Sequence, residues 1–185
     1  MAQTPTTLIP LGFPAPAFSL PDTVSGKVIS LDELSSDKAT VIMFICNHCP
    51  FVVHVIDELV RIANDYIPKG VSFIAISSND VENYPQDGPE MMKGFATANK
   101  FPFPYLYDET QNVARDYAAA CTPDFSIFDE ELKCVYRGQL DDSRPSNGKP
   151  VTGKDIREAL DNILAGKPVS AEQEVSIGCN IKWKQ

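Results

Sequence analysis

The chain has 185 residues, 43% of them hydrophobic and 22% charged, the balance of a soluble globular protein with one core of its own. A formal charge of −9, with no run of Lys or Arg, argues against a nucleic-acid partner or an anionic membrane surface, since both need clustered positive charge. No stretch approaches the roughly 18 apolar residues of a membrane helix. The opening Met1-Ala2-Gln3-Thr4-Pro5 also lacks the basic start and apolar core of a secretory leader, so a cytoplasmic location is expected.

Residues 1–25, rich in Pro and Thr, read as an extended arm that lays a few apolar side chains on the core. Ser25-Gly26-Lys27 predicts a turn into a short strand, Val28-Ile29-Ser30, followed by a helical turn over Leu31 to Leu34. Thr40 to Ile45 and Val71 to Ile76 are continuous apolar runs rich in β-branched residues, as expected of strands covered on both faces. Between them Val52, Val55, Ile56, Leu59, Ala63 and Tyr66 recur at helical spacing, with Asp57, Glu58, Arg61 and Asp65 opposite. Pro68 and Gly70 end that helix. Strand, helix and strand form a βαβ unit, so the two strands should be parallel with a right-handed crossover.

A polar loop (Ser77 to Pro89) precedes a helix over Glu90 to Asn99, a short strand over Pro104 to Tyr107 and a helix from about Thr110 to Ala119. Phe125 to Asp129 and Lys133 to Gly138 predict an antiparallel hairpin. After a loop rich in Asp, Ser, Pro and Gly (141–153) comes a last helix, Lys154 to Leu164, stopped by Gly166 and Pro168. A tail, 169–185, completes the chain. No repeat or linker divides it, and residues 1–185 read as a single α/β domain.

Five cysteines are an odd count that cannot pair completely, and a reducing compartment keeps most thiols free. Their spacing says more. Cys46-Asn47-His48-Cys49 sits where the first buried strand hands over to the long helix. A helix N-terminus carries partial positive charge, which favours a thiolate, the nucleophile of disulfide exchange. Two intervening residues let Cys46 and Cys49 close a small disulfide. A protonated His48 would add positive character and make the pair more oxidising. Pro50 costs little at the first helical position, where its missing N–H has no partner to lose.

A second element, Cys121-Thr122-Pro123-Asp124, leads into the hairpin about 75 residues downstream. Together these segments resemble the thioredoxin superfamily, in the branch that holds the alkyl hydroperoxide reductase and thiol-specific antioxidant group. The arm Gly12-Phe13-Pro14-Ala15-Pro16-Ala17-Phe18-Ser19-Leu20 is similar to that group's opening. Cys46-Asn47-His48-Cys49-Pro50 is similar to its redox motif, and Thr122-Pro123 to its cis-proline dipeptide.

The resemblance implies a thioredoxin-like fold: a central mixed β-sheet flanked by helices, an N-terminal extension and an inserted segment around 80–119. It implies that Cys46 attacks, that Cys49 resolves, and that Pro123 is cis with the Thr122 backbone free to pair with an extended substrate. It implies no bound cofactor and no metal. Its partners would be a protein or low-molecular-weight disulfide substrate and an electron-donating reductase or thiol. Thioredoxin's buried Asp, six residues before its first cysteine, falls on Thr40, and its Trp beside the motif is replaced by Phe44-Ile45. Aligning a peroxiredoxin cysteine with Cys49 puts Cys46 where the motif's hydroxyl belongs and Ile42 where its proline belongs, which weakens peroxidase chemistry.

Thiol–disulfide oxidoreduction is therefore the expected activity. The alternatives are a thiol peroxidase with antioxidant function, and a non-catalytic module that binds zinc or a partner. Zinc is the weaker because a closed site takes four ligands and the motif offers two thiols with only His48, His54 and scattered cysteines nearby. Cys121 is either a core residue or a thiol in exchange with the pair. Cys179, in Gly178-Cys179 ahead of Trp183, predicts docking of the tail, with a third thiol at the site as one outcome. Cys134 is expected to pack, and His54 to be solvated beside Glu58 and Arg61. Asn79-Asp80 and Gly138 to Asp142 follow strand ends on the motif's edge, where they either line a substrate groove or form ordinary polar loops.

Overall fold

The computed structural model describes residues 3–185. The arm contributes β1 (Gln3–Pro5) and β2 (Ser19–Pro21), and Gly26, at φ 76°, turns the chain into β3 (Val28–Ser30). The short α1 (Leu31–Leu34) starts on a capping box in which Ser30 and Glu33 satisfy each other's backbone N–H. Then come β4 (Ala39–Phe44), α2 (Pro50–Tyr66) and β5 (Val71–Ser77), with a 3-10 turn at Ile67–Lys69 and Gly70 at φ 95° ending the helix. The later elements are α3 (Pro89–Ala98), β6 (Tyr105–Tyr107), α4 (Asn112–Asp116), β7 (Cys121–Thr122), β8 (Asp124–Phe128), β9 (Cys134–Gly138), α5 (Lys154–Leu164) and β10 (Ile177–Asn180).

The five-stranded sheet has the order β6-β5-β4-β8-β9, with β4, β5 and β6 parallel and β8 and β9 antiparallel. This is the mixed sheet expected from the sequence. Alternation along β4 sends Val41 and Met43 into one core with Val52, Leu59 and Ile62 of α2 and Leu160 of α5. Ile42 and Phe44 enter the other, with Ile74, Ile76, Tyr117 and Phe128. Because both faces of β4 are covered, the whole strand is buried, and the cysteine motif that follows it inherits a fixed position.

Two elements and one side chain differ from the sequence reading. The helix expected from about Thr110 to Ala119 is only Asn112–Asp116, because Gln111 and Ala118 adopt left-handed backbone at φ 66° and 51°. Gln111 uses that conformation to donate from Nε2 to the carbonyls of Ser78 and Lys182, at 2.7 and 2.8 Å. Glu58, assigned to a solvated helix face, is buried under α5. Arg157 Nη2 and Arg61 Nε each donate to its carboxylate at 2.8 Å. The tail contains a strand: β10 lies between β1 and β7 in a three-stranded antiparallel sheet, with Gln3 opposite Cys179 and Cys179 opposite Thr122.

Candidate active site

β4 ends at Phe44, and the next two residues, Ile45 and Cys46, stay buried because the Ile45 N–H still donates to the Ile76 carbonyl at 3.0 Å. The chain then turns through Asn47 and His48 and enters α2 with Pro50 at its first turn. Cys49 therefore occupies the N-cap. Facing the pair, the Thr122–Pro123 peptide bond is cis. Cys46 Sγ lies 3.5 Å from Thr122 Oγ1, and Cys49 Sγ lies 3.3 Å from the Thr122 carbonyl oxygen. The structure thus brings Cys46, Cys49, Thr122 and Pro123 together, as the sequence grouped them.

It also brings Cys179. Its Sγ is 2.7 Å from Cys49 Sγ, delivered by the pairing of β10 with β7. Cys46, Cys49 and Cys179 are 1%, 0% and 2% exposed, so none of the three thiols is open to solvent. The backbone edge at Thr122, expected to be free for an extended substrate, carries the chain's own β10.

The negative charge of this cluster is drawn to Cys49. Hydrogen bonding from Cys46 is the main cause, with Cys179 and Thr122 adding to it against the cost of burial, and the Cys49 thiol is pulled down to about 5. Cys46 moves the other way: it supplies that hydrogen bond, it is buried, and the carboxylate of Asp87 faces it. Burial, followed by the contact with Cys49, pushes Cys179 up to about 12.

Asp87 is a site residue that the sequence did not disclose. It sits in a 3-10 turn (Pro85–Asp87) of the polar loop and is fully buried. Its Oδ1 accepts from the Asn47 N–H at 2.8 Å and its Oδ2 from Asn79 Nδ2 at 2.9 Å. His48 Nδ1 stands 2.5 Å from Oδ2, and the ring stacks on Tyr84. Cys46, His48 and Asp87 offer donor atoms all within 4.8 Å of one another. Three ligands would leave a tetrahedral ion open at its fourth position.

Thr40 lies where thioredoxin has its buried acid, and it is also buried, but its Oγ1 accepts from the Ser36 N–H at 3.0 Å. Among the described residues, the carboxylate that faces the motif therefore comes from the loop after β5. Cys121 is buried 3.7 Å from Thr6 Oγ1, and burial beside Asp124 pushes it up to about 12. Cys134 packs in the second core. His54 is half-buried rather than solvated, its Nε2 enclosed without a hydrogen-bond partner. Asn79 lies at the site, joining Asp87 to the tail by accepting from the Lys182 N–H at 2.9 Å. Asp141 instead accepts from the N–H groups of Thr152 and Gly153, both at 2.7 Å, ahead of α5. Beside the motif a groove of about 340 Å³ is lined by Asn47, His48, Gln86, Met91 and Phe95, with Met91 exposed.

Residues 11–137 match the family model described as AhpC/TSA family. The chain belongs to that family. Among solved structures, one described as an uncharacterized conserved protein from Geobacillus kaustophilus is 64% identical, with TM-score 0.98 over 100% of this chain and 97% of that one. A hypothetical protein from Sinorhizobium meliloti is 46% identical, with TM-score 0.95 over 98% of each chain. The thioredoxin domain of a thiol-disulfide oxidoreductase from Bacteroides vulgatus is 20% identical, with TM-score 0.60 over 70% of this chain and 89% of that one, a likeness of fold. A search of curated proteins found no match. The family's thioredoxin-like fold therefore carries the cysteine motif described above.

Proposed function

We propose that the protein is a thiol–disulfide oxidoreductase that cycles Cys46 and Cys49 between dithiol and disulfide. The observation that supports this most directly is a Cys-x-x-Cys pair at a strand-to-helix junction, beside a cis-proline. In the reduced pair Cys46 hydrogen-bonds to the Cys49 thiolate. When a substrate disulfide approaches, Cys46 passes its proton to Cys49 and attacks, forming a mixed disulfide and releasing one substrate thiolate. Cys49 then gives that proton to the released substrate thiolate and displaces the second substrate sulfur as a thiolate, closing Cys46–Cys49. The substrate gains two electrons and the pair gives up two.

His48 and Asp87 are positioning residues in this reading. The Asp87 carboxylate holds the His48 ring against Tyr84 and beside Cys46. The groove beside His48, with Met91 and Phe95, suits an apolar segment next to the reacting disulfide.

An equilibrium titration in glutathione buffers tests the reading. Cys46 and Cys49 should close in one two-electron step, a tenfold change per about 30 mV, located by peptide mass spectrometry. A pair that stays open across the range sinks the proposal.

A further inference from the structure

The cycle just described uses two thiols, yet the site holds three. Cys179 Sγ stands 2.7 Å from Cys49 Sγ, in direct contact with it. Two independent features hold it there. First, β10 is stapled at both ends: Ser176 Oγ donates to the Pro123 carbonyl at 2.6 Å, the Ile181 N–H to the Ala120 carbonyl at 3.1 Å, and the Asp80 N–H to the Lys182 carbonyl at 2.8 Å. Second, Gly178 has no side chain where one could not fit. A Cβ there would fall 1.9 Å from the Thr122 carbonyl oxygen and 3.1 Å from the Pro123 nitrogen. The tail is thus shaped to lie against the cis-proline, and that fit brings the next residue's sulfur to Cys49.

We propose that Cys179 is a third exchanging thiol, so that the protein holds its disulfide in two alternative places, Cys46–Cys49 and Cys49–Cys179. β10 would then act as a built-in peptide thiol on the edge where an extended substrate would pair. The step is a thiol–disulfide exchange within the chain. The Cys179 sulfur, on losing its proton, attacks Cys49 Sγ; the Cys49–Cys179 bond forms, the Cys46–Cys49 bond breaks, and Cys46 leaves as a thiolate that takes up the proton. One S–S bond replaces another, with no net oxidation and no external oxidant. The exchange returns Cys46, the thiol beside His48 and the groove, to its reduced form while the oxidising equivalent moves inward under the tail.

This inference rests on the dithiol reading, and three full-length proteins separate the two. In Cys179→Ser protein, closure of Cys46–Cys49 in glutathione buffers checks the dithiol reading alone. In Cys46→Ser protein, Cys49 and Cys179 should form one intramolecular disulfide, found by peptide mass spectrometry after acid quenching. If Cys49 there stays reduced or carries only glutathione while Cys179 remains a free thiol, the third-thiol role is overturned, whatever the Cys179→Ser protein does. In the unaltered protein, partly oxidised to one disulfide, both isomers should be present. Their ratio should not change with the glutathione potential, because their interconversion moves no electrons. Finding only Cys46–Cys49, or a ratio that follows the potential, overturns the relay even where the Cys46→Ser pair closes.

Discussion

Asp87 shows how one buried carboxylate adds to hydrogen bonding and burial in setting the character of a neighbouring thiol. Its charge faces Cys46 and disfavours the thiolate there, while the thiol–thiolate hydrogen bond places the charge on Cys49. Asp87→Asn should therefore lower the Cys46 pKa and speed its alkylation at neutral pH several-fold, with Cys49 titrating higher as the two sulfurs compete for one proton more evenly. Rates of iodoacetamide labelling against pH, read separately for each cysteine, check this. An unchanged Cys46 profile would mean that the carboxylate serves only to hold the Asn47–His48 turn. Cys46, His48 and Cys49 were legible in the sequence because they are local and sit between two strong periodic signals. Asp87 was not, since its role depends on a loop folding back so that Asn47, His48 and Asn79 all reach it.

At the scale of elements, the paired strands β8 and β9 enclose an ion pair on the face opposite α2. Arg137 donates to Asp124 at 3.4 Å, to Ser126 Oγ at 3.1 Å, and to the carbonyls of Thr7 and Ala118 at 2.8 and 2.9 Å. Burial raises the Asp124 carboxyl from 3.8 to about 6, against the pull of Arg137. The folded pKa lies above the unfolded one, so the resulting stabilisation is complete below pH 3.8 and is lost as pH rises through about 6. The size of that loss is on the order of 3 kcal/mol. Asp124→Asn should remove this part of the pH dependence, so that urea midpoints of mutant and parent diverge between acid and neutral pH; parallel profiles would count against it. The hairpin itself was legible from its apolar alternation and polar turn. The ion pair within it was not, because a buried Arg on a strand reads as a solvated one until the arm and the turn at Ala118 are seen to cover it.

Across the whole molecule, residues 3–5 and 177–180 meet at the site. β1 and β10 pair with each other, and β10 with β7, closing a small sheet over the three thiols. Gly178→Ala should lift β10 from Thr122, because its Cβ has no room against the carbonyl oxygen. Cys49 and Cys179 should then react with maleimide at least tenfold faster, while far-ultraviolet circular dichroism still reports the five-stranded sheet. Labelling at the parent rate would show that the tail accommodates a methyl group and that Gly178 is not what seats it.

The α/β class, the order of the main strands and helices, and the placing of Cys46 and Cys49 at a strand-to-helix junction are all readable from residue order alone. These follow from periodicity and turn chemistry, which act over a few residues. Only the tertiary structure decided that Asp87 faces the motif, that Gln111 and Ala118 shorten α4, and that residues 177–180 form a strand carrying Cys179 to Cys49. Each of these depends on hydrogen bonds between segments far apart in the chain. Ile-Gly-Cys-Asn carries no strand pattern of its own, and becomes one only because β1 and β7 offer unpaired backbone on either side.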